Sequence, residues 1–189
     1  LKLANSASLP FLFKGKKTGS QWYFSLNSTG SGSPLQFYGQ TEKVSLHPKV
    51  ISVYGKGKGA HGITRFAMNM SHIHYDSDDM HINIPNLLIC GNSSIGSAQI
   101  PATKAFAKVT EAECNMGSLY AGKIHAKIPF QWPYPAMELD KIKFVNEPER
   151  YCTIGEIKYA DMDVGRMSAI PYQDGLNIIF SGQHTDFLP

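Results

Sequence analysis

The stretch Gly175-Leu-Asn-Ile-Ile-Phe-Ser-Gly182, which runs on into Gln183-His-Thr-Asp-Phe-Leu-Pro189, decides how the rest of the chain is read. Leu176, Ile178 and Phe180 fall on one side of an extended segment, with Asn177 and Ser181 on the other. Side chains alternate faces along a strand, so this pattern predicts a β-strand with one buried face. Gly182 then allows the backbone to turn.

The same period of two recurs upstream. Trp22, Phe24 and Leu26 share a face within Gln21–Leu26, and Val50 to Tyr54 is a β-branched run stopped by Gly55. In Ile63 to Tyr75, Phe66, Met68 and Met70 oppose Arg65, Asn69 and Ser71. Met80, Ile82 and Ile84 alternate with His81 and Asn83 until Pro85 halts the strand, and Ile124, Ala126 and Ile128 alternate with His125 and Lys127. Further strands are expected at 141–145, 153–159 and 166–172. Turn formers separate them at 30–34, 76–79 and 146–149, and the glycine-rich run Gly55 to Gly62 reads as a flexible loop. Ala102 to Glu113 is the one helical expectation, with Ala105, Phe106 and Val109 as an apolar stripe and Thr103 as cap.

This many strands must hide their edges by closure or by face-to-face packing. The expectation is therefore all-β: a single eight-stranded jelly-roll β-sandwich with one or two short helices. It spans residues 1–189 as one domain, with 1–20 as an extended N-terminal arm. An immunoglobulin-like sandwich is shorter and needs a Cys-Trp-Cys pattern that is missing.

Composition narrows the function. With 42% apolar residues the chain can bury a core without disulfide staples, while 17% charged residues is low for an ordinary solvated surface and suits one covered by partners. A net charge of +3 with no arginine-rich arm is a weak nucleic-acid footprint, concentrated at Lys14, Lys16 and Lys17 and at Lys56 and Lys58. Cys90, Cys114 and Cys152 lack a Cys-x-x-Cys spacing and suit free buried thiols, although one bridge is open to them. Three Asn-x-Ser/Thr triplets begin at Asn27, Asn69 and Asn92. No apolar run is long enough for a membrane-spanning helix, and the start at Leu1 fits release from a polyprotein.

Catalytic constellations are thin. His72 and His74 would share a strand face and could grip a metal ion, with His81 or His125 as a third ligand, but a polar strand surface explains them more simply. Asp76-Ser-Asp-Asp79 lacks the glycine and distal glutamate of a calcium loop. Cys90 after Leu87-Leu-Ile reads as an inert thiol, no Gly-x-Ser-x-Gly elbow is present, and the glycine run lacks a phosphate-loop ending. No enzymatic activity, cofactor or metal is expected.

Two segments carry a family resemblance. The last strand with its Ser181-Gly-x-x-x-Asp186-Phe187 tail, and Ile128-Pro-Phe130 running into Trp132-Pro-Tyr-Pro135, together resemble picorna-like virus capsid proteins. A chain of 20.9 kDa resembles one of the three capsid proteins of the plant secovirids. The resemblance implies a structural subunit of a small icosahedral RNA virus, located in the virion and in the host cytoplasm during assembly. Its partners would be copies of itself, sister capsid proteins and, without sequence specificity, the genomic RNA, with no membrane insertion. Subunit contacts are expected at Phe11, Phe13, Trp132, Tyr134 and Phe187, and Lys14, Lys16 and Lys17 are expected to face RNA. The alternative is a secreted carbohydrate-binding adhesin sandwich, which predicts one disulfide.

Overall fold

The computed structural model describes residues 2–5, 8–96, 102–133, 143–145, 147–172 and 175–182. Its strands are β1 Lys2–Leu3, β2 Phe11–Thr18, β3 Gln21–Ser28, β4 Leu35–Tyr38, β5 Lys43–Lys58, β6 His61–Asp76 and β7 His81–Ile95. They continue with β8 Ala102–Met116, β9 Leu119–Pro133, β10 Lys143–Phe144, β11 Tyr151–Tyr159, β12 Met162–Tyr172 and β13 Gly175–Gly182. All thirteen form one sheet in the order β1-β4-β5-β6-β7-β8-β9-β11-β12-β13. β3, with β2 outside it, flanks the second half of β5, and β10 flanks the second half of β9. Every pairing is antiparallel.

The all-β class holds, with three corrections. The pairing is one sheet of thirteen strands, where a jelly-roll sandwich of eight strands in two sheets was expected. No helix occurs among the described residues: Ala102 to Glu113, expected to be helical, lies within β8, hydrogen-bonded to β7 on one side and β9 on the other. Ala105, Ala107 and Val109 also alternate with Lys104, Lys108 and Thr110, and two ladders outweigh a helical propensity of a few tenths of a kcal/mol per residue, on the order of the usual scale. The glycine run at 55–62 is not a loop but the ends of β5 and β6 around a two-residue turn, Gly59-Ala60. Residues 11–18 of the segment read as an arm form β2.

The other tight hairpins turn at Gly19-Ser20, Gly117-Ser118 and Ala160-Asp161. Gly19, Gly59 and Gly117 all sit at φ 59°, and Ala160 and Asp161 at 47° and 68°. Positive φ is what the primed turns of two-residue hairpins require.

A seam of irregularities crosses the sheet. β5 shifts register between Ser45 and Val50, β8 and β9 shift between Val109 and Cys114, and β11 and β12 shift between Ile154 and Lys158. His72 in β6, Glu111 in β8 and Lys123 in β9 have φ of 51°, 57° and 52°, and Gly165 in β12 has 143°. Pro85 lies at the same level of β7 and passes through it, where the sequence predicted a stop. The ladders to β6 and β8 are interrupted at Pro85, which has no N–H to donate, and resume on either side of it in the same register.

The seam changes the phase of the apolar alternation in β5, β6, β7, β8, β9, β11 and β12. On the side toward Gly59-Ala60, the register aligns Leu26, Val53, Phe66, Gly91, Ala105 and Phe130, and beside them Ile51, Met68, Ile89, Ala107 and Ile128. Beyond the seam it aligns Phe37, Val44, Tyr75, Ile82, Cys114, Ala121 and Ile157. In β6 the apolar positions are even before His72 and odd after it. A bulge puts two successive residues on one side and so restores the face. His72 illustrates this: its Nδ1 lies 3.0 Å from Ser71 Oγ, and its ring lies 6.4 Å from that of His47, which pairs with Ser71. One apolar face therefore runs the length of the sheet, with a polar face behind it.

Among the described residues no second layer covers that face. Among the described residues those shielded from solvent are glycines, alanines, prolines, Ser71 and Thr103. Phe66, Met68, Leu87, Ile89, Ile128 and Ile154 are half-buried by their neighbours along the sheet. At the edges Phe11, Phe13, Ile178 and Phe180 are exposed.

The Gly59 end is packed by aromatic rings lying on glycine. Trp22 stacks on Phe24 with centroids 6.1 Å apart, and its Nε1 donates to the Gly59 carbonyl at 2.9 Å. A Cβ at Gly62 would lie 2.5 Å from the Trp22 ring and 2.6 Å from the Lys56 carbonyl oxygen, whereas one at Gly30 would meet nothing within 4 Å. Gly62→Ala is expected to lower unfolding free energy by about 1–3 kcal/mol, the usual range for overpacking, with Gly30→Ala near neutral. Equilibrium urea denaturation followed by circular dichroism checks this, and equal stability of the two variants contradicts the packing.

Candidate functional site

The polar face is the chemically distinctive surface. Cross-strand rows on the Gly59 side of the seam place Lys14, Ser25, Tyr54, Arg65, Asn92, Lys104, Gln131 and Lys143 at one level. The next row holds Lys16, Tyr23, Lys56, Ile63 and Ser94. Lys56, Lys58, Arg65, Lys104 and Lys108 are exposed, as are Tyr23 at 47% and Tyr54 at 43%. The strand segments on this side contain no Asp or Glu at all. Lys127, directly opposite Lys108, is compensated from a loop by Glu149, whose carboxyl it holds below the usual carboxylate range by a hydrogen bond and by its charge. Its Nζ also lies 5.1 Å from the centre of the Phe106 ring.

The acidic residues collect beyond the seam. Asp76, Glu113, Glu156 and Asp163 lie in strand segments there, and Glu42, Asp78, Asp79 and Asp161 in the turns at that end. Few basic residues accompany them. Lys158 bonds Glu156 at 2.5 Å and Lys123 approaches it at 3.6 Å, which lowers the Glu156 pKa, the hydrogen bond from Lys158 being the largest cause. Burial, then the charges of Glu113 and Glu156, raise the Tyr120 hydroxyl. His81 pairs with Asp76 at 3.0 Å. The chain is thus basic at one end of its strands and acidic at the other.

Of the residues expected to face RNA, Lys14 and Lys16 lie at polar-face positions, while Lys17 pairs with Trp22 at an apolar-face position. Tyr54, Lys56, Lys58, Arg65 and Lys104 join the first two; Lys56 and Lys58 stand out in the sequence as a basic spot, whereas Arg65 and Lys104 are brought in only by the cross-strand register. Of the expected contact residues, Phe11 and Phe13 are exposed on the outer strand β2, Trp132 sits in the β9 backbone opposite Thr103, and Tyr134 and Phe187 lie outside the described residues.

His72 and His74 do not form the metal pair that strand alternation implies. The left-handed residue at the seam turns His72 toward Ser71 and His47, whereas His74 shares a shallow groove with Asp76, His81, Asn83 and Glu113. Among the described residues no group of three His, Cys, Asp or Glu is placed to hold a metal ion. The three cysteines are free and half-buried, and burial raises all three thiol pKa values.

No protein family matches this chain, and no curated protein and no solved structure shows significant similarity to it.

A raised thiol pKa keeps a cysteine protonated, and the thiolate is the species that alkylates. Iodoacetamide at mildly alkaline pH is therefore expected to label Cys90, Cys114 and Cys152 much more slowly in the native protein than in urea, with the native rate still climbing at pH values where a free thiol has levelled off. Equal native and denatured rates contradict the burial.

Proposed function

We propose that this chain is a structural subunit that works by assembling, as a capsid protein of a small icosahedral RNA virus does. The observation that carries the reading is the uncovered apolar face: a sheet with one apolar face requires a second layer to bury it, and the described residues supply none. In this reading the two-layered sandwich of a jelly-roll-like subunit is completed between chains, and sister capsid proteins extend the contacts from the exposed edges at Phe11, Phe13, Ile178 and Phe180. Many modest contacts then add up through multiplicity.

The polar face supports the RNA partner. Lys14, Lys16, Lys56, Lys58, Arg65 and Lys104 surround Tyr23 and Tyr54. Cations that track a phosphate backbone, interleaved with rings on which bases stack, bind single strands without reading sequence. The adhesin alternative predicts a disulfide, and the three cysteines are free.

Two measurements test the proposal. The purified chain mixed with single-stranded RNA is expected to form closed bodies visible by electron microscopy. Its RNA affinity should fall with salt, the logarithmic slope steepening by roughly 0.7 for each phosphate neutralised. Replacing Lys56, Lys58, Arg65 and Lys104 with Gln should flatten that slope by about 2–3 on the same rule. Absence of both assembly and salt-sensitive RNA binding rejects the reading.

A further inference from the structure

We propose that an open concavity at the Gly59 end of the polar face holds one unpaired nucleotide of the bound strand, its base against Tyr23 and Tyr54 and its phosphate on Lys56 and Lys58. This subsite rests on the reading of the polar face as an RNA surface, and it adds a preference for single strands over duplexes.

The concavity has a volume of about 660 Å³, and its walls include Tyr23, Tyr54, Ile63, Lys56, Lys58 and His61. Ordinary small-molecule sites run from about 300 to 1,000 Å³. Ladder register explains why these side chains meet. Tyr23, Lys56 and Ile63 form one cross-strand row of β3, β5 and β6, and Gln21, Lys58 and His61 form the row nearer the turn. Tyr54 stands one level further in, beside Arg65. Alternation sends all of them to the same side of the sheet. Trp22, Gly57 and Gly62, between the two rows, belong to the other side, where the indole lies over both glycines. On the polar side the floor is therefore backbone.

Two properties of the lining select the ligand. The first is exposed flat and apolar surface: Tyr23, Tyr54 and Ile63 gather here, each more than 40% exposed. Tyr23 and Tyr54 are diagonal neighbours on adjacent strands, a backbone spacing of about 7–8 Å that leaves room for a planar ring. The second is charge. Lys56 and Lys58 are exposed two residues apart on one strand, and the strand segments around them contain no Asp or Glu. A ligand with a planar ring and an anionic group a few bonds away answers both properties, and a nucleotide is that ligand. A neutral sugar leaves the ammonium groups without a partner, and a duplex keeps its bases inside the stack. Exposed rings alone do not make the site: Tyr38 and Tyr159 are also exposed, but they lie at the acidic end of the strands. Because the concavity is open, the strand continues past it, and Arg65 and Lys104, in the same row as Tyr54, take further phosphates.

Photocrosslinking and fluorescence anisotropy with the full chain test the subsite. A single-stranded oligoribonucleotide carrying iodouracil is expected to crosslink to Tyr23 or Tyr54, read by mass spectrometry of the peptides, with Tyr38 and Tyr159 unmodified. Tyr23→Leu with Tyr54→Leu should weaken binding of a fluorescein-labelled oligouridylate about tenfold, within the ordinary worth of base stacking on aromatic rings. The same variant should bind an RNA duplex of equal length as the wild type does and keep the salt slope. Lys104→Gln, outside the concavity, should weaken both forms and flatten the single-strand slope by roughly 0.7. Circular dichroism checks the fold of each variant, and the crosslinking needs only the wild type. Crosslinks at Tyr38 or Tyr159 instead, or an equal loss on single strand and duplex, overturn the subsite and leave the RNA surface standing. Absence of salt-sensitive binding to either form removes the surface and the subsite together.

Discussion

The architecture depends on one constraint: strands of up to 16 residues must keep their apolar side chains on one side of a twisting sheet. Without correction, a period-two pattern with a single phase error moves every later side chain to the opposite face. In this chain the phase error occurs in seven neighbouring strands at one level, and the bulges at that level absorb it. The left-handed residues at His72, Glu111 and Lys123 mark places where the backbone accepts a conformation that side-chain-bearing residues seldom adopt. Each costs of order 1 kcal/mol or more, and the continuity of the apolar face is what offsets it.

Burial follows from the same geometry. With one face apolar and no layer above it among the described residues, mostly small residues fall out of reach of solvent, which is why alanines and glycines, with Thr103 and Pro129, hold the shielded positions along β8, β9 and β12. Larger side chains shelter one another sideways. The Trp22–Phe24–Phe13 stack over glycine backbone at the Gly59 end has the same character. There an aromatic ring does the covering that a second sheet would do elsewhere, and it does so on a strip too narrow for anything but glycine beneath.

Much of this was legible in the residues, and what was not has physical causes. Alternation placed strands correctly at Trp22 to Leu26, Ile63 to Tyr75, Ile124 to Ile128 and Leu176 to Phe180. The segment at 102–113 carried two periodicities at once, and its neighbours β7 and β9 decided between them. Pro85 read as a stop because a proline has no N–H for a ladder; β7 passes through it because the pairings with β6 and β8, far away in sequence, resume on either side. Glycines at 55, 57 and 62 read as flexibility when they are the floor beneath Phe24 and Trp22. At the site, Lys14 and Lys16 stood out as a run, but Arg65 and Lys104 join them only through ladder register. The histidine pair failed for the reason the fold succeeds, since the seam residue is His72.

Segregation of charge along the strands has a consequence for any assembly built from this sheet. Basic residues on segments without acids repel one another unless something anionic lies over them, and their exposure leaves salt as the alternative screen. An anionic polymer lying along the polar face would neutralise this set. Lys14, Arg65 and Lys104 belong to rows across the back of the sheet, whereas Lys58 stands at its very end. Covering the apolar face leaves the polar face open, and a body assembled through the first presents the second as a continuous lining.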